Sequence, residues 1–232
     1  GMHAAGMRVE TSKGEAWPGQ QEINLRYCEL LEMADRHVLY KNAAKEIAAA
    51  QGLAITFMAK WDAAMAGNSM HVHTSLWDLA GEKNAFAGDE PLPGSPMRAS
   101  KTFRHWLGGL LAHAREIALF LAPTVNSYKR FMEGTFAPTA IAWAADNRTS
   151  GFRIVGHGSS LRSELLHTSS ASRSATATMS PSTFTPIIAW RVKPSCIGSV
   201  TATICITPSD SSRCTRCRTA ASDSPTAFPI DA

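Results

Sequence analysis

Residues 66–76 read AGNSMHVHTSL, and the alternation that begins at Met70 decides how the rest of the chain is read. Met70, Val72, Thr74 and Leu76 fall on one face of an extended strand, and His71, His73 and Ser75 on the other, because side chains of a strand alternate with a period of two. One face can pack on a core while the other aligns two imidazoles and a hydroxyl. Gly67, Asn68 and Ser69 ahead of it form a flexible turn whose amides can approach a ligand closely. Taken alone, His-x-His fits both an ordinary half-buried strand and a zinc half-site, so the neighbouring segments have to decide.

Toward the N-terminus, Arg8 to Glu22 is expected to be extended and to turn at Pro18-Gly19. Asn24 to Gln51 is expected to be a helix with a stripe of Leu25, Cys28, Leu31, Val38, Ala43 and Ile47, stopped by Gly52. Ala54 to Met58 reads as a short strand. Past the histidines, Gly81 to Pro96 is a surface loop, and Ser100 caps a second helix that runs to about Leu121 and ends before Pro123. Asn126 to Pro138 is irregular. Thr139 to Trp143 and Gly151 to Val155 read as strands joined by a turn at 146–150. This order predicts an α+β fold with a largely antiparallel sheet and packed helices.

Composition narrows the function classes. A hydrophobic fraction of 44% and a charged fraction of 18% are globular values, and a net charge of +4 makes no case for nucleic acid as a partner. No stretch approaches the ~20 apolar residues of a membrane span, and the first residues lack a secretory pattern. Cys28 alone among the five cysteines lies in the first three-quarters of the chain, which suits a reducing cytoplasm. From Leu165 the character changes. Ser and Thr make up over a third of residues 165–232, a composition that buries too little apolar surface to offset the entropy of ordering. The expected division is therefore a folded part, 1–164, and an unstructured or out-of-frame tail, 165–232. The lone Cys214-x-x-Cys217 in that tail, without a second pair, is a weak zinc signal.

Glu15 and Glu22 flank a Pro-Gly turn, and Glu164 closes another strand-like segment; each reads either as a solvated carboxylate or as a ligand for a hard cation. Arg130, Arg148, Arg153 and Arg162 all lie in or beside turns and strands. Guanidinium groups converging on one cleft neutralise phosphoryl groups or grip carboxylates, although each taken singly reads as surface arginine. Carboxylates, imidazoles and guanidiniums together suit metal-assisted phosphoryl transfer. Neither a Walker loop nor GxGxxG is present.

Four segments in order, EAWPGQQEINLRY, ITFMAKWDAAMAGNSMHVHTSL, NSYKRFMEGTFAP with AWAADNRTSGFRIV, and LRSE, resemble the catalytic domain of glutamine synthetase over about residues 8–164. NSYKRF, GTFAPTAIAW and DNRTSGFR look more like the branches that make γ-glutamyl amides of other amines. The resemblance implies a cytoplasmic ligase of nitrogen metabolism in which ATP and glutamate give γ-glutamyl phosphate, which ammonia or a small amine converts to an amide such as glutamine. It implies two Mg²⁺ or Mn²⁺ ions, Glu15 and Glu22 on one, His71 and Glu164 on the other. It aligns His73, Ser75, Arg148, Arg153 and Arg162 with ATP, Gly67 and Arg130 with glutamate, and Arg130 and Arg148 with catalysis. It also implies large homo-oligomers, with no nucleic acid or membrane partner.

Departures accompany it. The family has an earlier strand with an acid-x-acid pair that gives one carboxylate to each metal, so each ion is expected to have two of three protein ligands here. Phe136 stands where the housekeeping enzyme has an acidic residue that helps deprotonate ammonium, which favours a larger or already neutral amine. Ala66 replaces an asparagine, and Leu166 replaces an arginine that binds the glutamate α-carboxylate. The loss of match after Glu164 is what a reading-frame change would produce.

Overall fold

The computed structural model describes residues 1–166, apart from 16, 133–136 and 139, together with the backbone of 200–208. Phe136, Cys214 and Cys217 lie outside the described residues.

Strands β1 (Val9–Gly14) and β2 (Gln20–Leu25) form an antiparallel hairpin. Its turn uses Pro18 and Gly19; Gly19 has φ 74°, and the Gln20 N–H donates to the Trp17 carbonyl at 3.0 Å. Helix α1 (Leu30–Ala50) is capped by the Glu29 carboxylate, which accepts from the Leu31 N–H at 2.9 Å. The helix expected from Asn24 therefore begins six residues later, since Asn24 and Leu25 complete β2. Its buried stripe is Met33, Tyr40, Ala44 and Ala48, while Leu31 and Val38 are exposed. An alanine-rich helix carries a faint stripe, and one drawn from a strand residue takes the wrong phase.

Next come β3 (Leu53–Thr56) and the histidine strand β4 (Met70–Thr74). A small ladder of β5 (Glu90–Pro91) and β6 (Arg98–Ala99) leads to α2 (Lys101–Ala112), whose first turn is capped by Ser100 as expected. The helix breaks at His113 and resumes as α3 (Ala114–Leu121), followed by the short α4 (Val125–Tyr128). Then β7 (Trp143–Ala145), β8 (Phe152–Val155), β9 (Arg162–Leu165) and β10 (Val200–Pro208) complete the order.

The main sheet runs β1-β2-β10-β4-β9-β8-β7, with β3 paired to β10. All its ladders are antiparallel except β7–β8, which is parallel across a connection of residues 146–151. β10 lies between β2 and β4: Thr203 is the register partner of Glu22, and Thr201 of both Asn24 and His71. Of the stretch expected to be an unstructured tail, Leu165 belongs to β9 and Val200–Pro208 forms a strand, and residues 167–199 and 209–232 lie outside the described residues. Backbone pairing with two sheet edges does not depend on side-chain hydrophobicity, so composition carries no signal for such a strand. Among the described residues no helix is long and apolar enough to cross a membrane.

Alternation gives the sheet two faces. Phe152 and Ile154 of β8 join Phe86, Phe103, Leu107 and Leu161 in one core beneath α2, and Ile23 and Leu25 of β2 join Met33, Tyr40 and Met7 in another beneath α1. The intervening residues, Arg153, Glu22 and Asn24, face away from both. The Tyr40 hydroxyl is fully buried without a hydrogen-bond partner among the described residues, and burial raises its pKa. Because an unsatisfied buried hydroxyl costs stability, Tyr40→Phe is expected to raise unfolding free energy by about 1 kcal/mol, read from urea midpoints.

Candidate active site

The face opposite the helices carries a cavity of about 510 Å³ lined from β1, β2, β4, β8, β9 and the turns beside them. Glu22, His71, His73, Arg148, Arg153, Arg162 and Glu164 all line it, so seven of the residues singled out from sequence come together. Register explains the convergence. His73 pairs with Glu164 and Glu164 with Arg153, which puts imidazole, carboxylate and guanidinium side by side across three strands.

Glu164 is the centre of this row, only 2% exposed. Its Oε1 accepts from His71 Nδ1 at 3.0 Å and lies 3.7 Å from His73 Nε2, and its Oε2 accepts from Arg153 Nη1 at 2.9 Å. Burial alone would raise its pKa. The His71 hydrogen bond and the charges of His73, His71 and Arg153 outweigh that and hold it at about 2. His73 is driven the other way: burial chiefly, against the pull of Glu164, lowers it to about 4, and its Nδ1 accepts from Arg162 Nε at 3.3 Å. His73 is therefore a neutral imidazole at pH 7, with Nδ1 as acceptor.

Glu15 and Glu22 form a second acidic locus. Lys13, the register partner of Glu22, bridges them, with Nζ 3.4 Å from Glu15 and 3.2 Å from Glu22. The two carboxyls share a hydrogen bond: Glu22 and burial push Glu15 up, while Glu15, Asn24 and Lys13 bring Glu22 down despite its own burial. Glu15 does not line the cavity itself.

Carboxylate oxygens and imidazole nitrogens suit a hard divalent cation, but they come as pairs. Among the described residues no group of three or more His, Cys, Asp or Glu comes together to hold a metal. The strand order gives the reason, because β10 intervenes between Glu22 and His71 and adjacent strands lie ~4.8 Å apart, so the two pairs are ~10 Å apart. Each carboxylate is meanwhile neutralised by a cationic side chain, Lys13 in one pair and Arg153 in the other.

Besides Glu15, three expected site residues lie outside the cavity lining. Ser75 is fully buried beyond the end of β4, and its Oγ accepts from Trp77 Nε1 at 2.9 Å, so the alternation stops one residue short of it. Gly67 and Arg130 meet each other instead of the cavity: a Cβ on Gly67 would lie 2.7 Å from Arg130 Cγ and 2.5 Å from the Ala59 carbonyl. Burial lowers the Arg130 pKa to about 10. The turn before β4 is pinned, not flexible, with Asn68 N–H on the Ala59 carbonyl at 2.9 Å and Gln20 Nε2 on the Gly67 carbonyl at 3.2 Å. Leu166 is buried, its N–H donating to the Gly151 carbonyl at 3.0 Å.

Glu10, Asn24, Tyr27 and Ser160 also line the cavity and were not foreseen. Asn24 was legible in principle, since it stands two residues after Glu22 on one strand face; reading it as helix hid it.

The family model described as "Glutamine synthetase, catalytic domain" matches residues 1–173. A gamma-glutamylethanolamide synthetase of Streptomyces coelicolor is 52% identical over 163 residues, 70% of this chain and 33% of that protein. A glutamate–isopropylamine ligase of a Pseudomonas species is 42% identical over 164 residues, 70% of this chain and 35% of that protein. The cryo-electron-microscopy structure of the Plasmodium falciparum glutamine synthetase superposes with TM-score 0.64 at 27% identity, over 71% of this chain and 31% of that one. The chain spans about a third of the length of the relatives it matches.

Two outcomes follow from the geometry. Gly67→Ala forces a Cβ against the Ala59 carbonyl, which cannot swing aside as a side chain can, and is expected to cost about 1–3 kcal/mol in urea unfolding. In metal-free protein, His73 has a folded pKa below its unfolded value, so stability is complete above the ordinary histidine range and falls as pH drops from about 6.5 toward 4. Glu164, also depressed, removes more between about 4.5 and 2. Unfolding midpoints measured across pH check both, and His73→Gln is expected to flatten the upper limb and, by removing a charge that depresses Glu164, to weaken the lower one as well.

Proposed function

The chain belongs to the glutamine synthetase family through that family's catalytic domain, and on this premise we propose that it is the phosphoryl-handling part of an ATP-dependent carbon–nitrogen ligase. The proposed reaction joins the γ-carboxyl of glutamate to ammonia or another small amine. The observation that carries the reading is the single cavity in which Glu22, His71 and Glu164 meet Arg148, Arg153 and Arg162. Acids next to several guanidiniums suit a polyphosphate delivered with divalent cations, and suit poorly a purely anionic or purely apolar ligand.

In the proposed mechanism Arg148, Arg153 and Arg162 bind the phosphates of ATP, and neutral His73 keeps Arg162 aimed through Nδ1. A γ-carboxylate oxygen of glutamate attacks the γ-phosphorus, the bond to the bridging oxygen breaks and ADP departs. An amine then attacks the acyl carbon and phosphate leaves, while the same guanidiniums offset charge on the transferring group. Glu15 with Glu22, and His71 with Glu164, would hold Mg²⁺ or Mn²⁺, which neutralise phosphate charge when bound. Gly67 and Arg130 are assigned to glutamate, a cytoplasmic setting and large homo-oligomers to the whole assembly; these rest on the family. As for the acceptor, the sequence wording DNRTSGFR and Phe136 favour a larger or already neutral amine.

A second reading is favoured by one observation, the pairing of donors in twos among the described residues. Two-donor sites bind cations weakly, so the chain could hold nucleotide without turning over. Calorimetric titration with Mg-ATP, with phosphate release followed in the presence of glutamate and a panel of amines, separates the readings. Saturable Mg-ATP binding, weakened in Glu164→Gln, is expected under both, and amine-dependent phosphate release is expected only of the ligase. Absence of Mg-ATP binding at millimolar concentration overturns both.

A further inference from the structure

Asp146 stands between β7 and β8, in the DNRTSGFR motif, where attention fell on the arginines and no role was given to the aspartate. It is the one non-glycine residue with positive φ among the described residues, at 47°. Its N–H donates to the Ile154 carbonyl at 2.9 Å, which locks the start of the tight connection between two parallel strands. A left-handed residue at such a turn is served best by glycine, and aspartate shares with asparagine a tolerance of it because the short polar side chain hydrogen-bonds locally. The carboxylate reaches Arg153. Arg153 Nε donates to Asp146 Oδ1 at 3.1 Å, and Nη2 donates to the same oxygen. The remaining terminal nitrogen, Nη1, is the one on Glu164. One guanidinium is thus divided: two donors on an exposed carboxylate, one on the buried carboxylate that lines the cavity.

We propose that Asp146 is a positioning residue that fixes the Arg153 guanidinium in the cavity wall, so that Arg153 stays directed at an incoming polyphosphate when the charge of Glu164 is shared with a divalent cation. The division of donors is what makes this work. A cation held by His71 and Glu164 would draw on the carboxylate and weaken its hold on Nη1. With Nε and Nη2 still held by Asp146, the plane of the fork would be retained and Nη1 would stay toward the cavity instead of relaxing into solvent. Without Asp146 the same weakening would free the side chain, and its rotamer entropy would have to be lost again on binding phosphate. The inference rests on the reading that the cavity receives a Mg-polyphosphate, and it adds a residue that the family resemblance does not assign.

The test uses the whole chain with Asp146→Gly and Asp146→Asn. Glycine removes the carboxylate and also relieves the backbone, while asparagine tolerates the left-handed conformation and keeps a neutral acceptor. Three readouts are compared: thermal midpoint, Mg-ATP affinity by calorimetry, and the Arg153 Nε–H signal by NMR with and without Mg²⁺. The expected result is that Asp146→Gly leaves the midpoint unchanged or higher while Mg-ATP binds about five- to tenfold more weakly, with Asp146→Asn between it and the parent. The same change made in an Arg153→Lys background is expected to have no effect on affinity. A role confined to bracing the turn would move the midpoint and leave affinity alone, and that result overturns the proposal. Should the parent chain bind no Mg-ATP, the functional reading falls, and the Nε–H signal decides the positioning claim: a protected signal that survives Mg²⁺ and disappears in Asp146→Gly upholds it, and an averaged signal in the parent refutes it.

Discussion

A carboxylate at 2% exposure is tolerable only if its charge is met, and the way Glu164 is met organises this molecule. His71, His73 and Arg153 reach it from the strands on either side, so the demand of one buried charge fixes the relative register of β4, β9 and β8. A slip of one residue along any ladder would turn a charged partner into the hydrophobic core and leave Glu164 alone. The cavity is therefore as much a registration device for the sheet as a place for ligands.

The second organising fact is the separation of faces. On β8, Phe152 and Ile154 pack beneath α2 while Arg153 faces the cavity; on β2, Ile23 and Leu25 pack beneath α1 while Glu22 and Asn24 face it. On β9, Ser163 turns to the helix side, where its Oγ accepts from Trp106 Nε1 at 3.0 Å, and Glu164 turns to the other. Burial energy and charged chemistry come from the same residues' neighbours, without competing for the same surface.

This explains what the sequence disclosed and what it withheld. Strand alternation is a local property, so His71 and His73 were readable from seven residues, and the Pro18-Gly19 turn and the Ser100 cap from fewer. Their meeting with Glu164 and Arg153 is non-local, and no spacing in the chain encodes it; only the likeness to a known family supplied the grouping. Ser75 falls outside the alternation because the period of two holds only while the strand lasts, and β4 ends at Thr74. Asn24 was lost for the opposite reason, a strand residue assigned to a helix whose stripe is weak. Asp146 gave no signal, since neither its φ nor its reach to Arg153 is visible in DNR.

β10 has a consequence of a mechanical kind. Among the described residues β2 and β4 share no ladder with each other, and the backbone ladders that tie the Glu15–Glu22 hairpin to the histidine side of the sheet run through Val200–Pro208. This strand is a spacer and a hinge pin at once. The distance between the two acidic loci is a backbone dimension, insensitive to which side chains β10 carries, and it is held by that strand's two ladders together with the Gln20 bonds to Gly67 and Asn68.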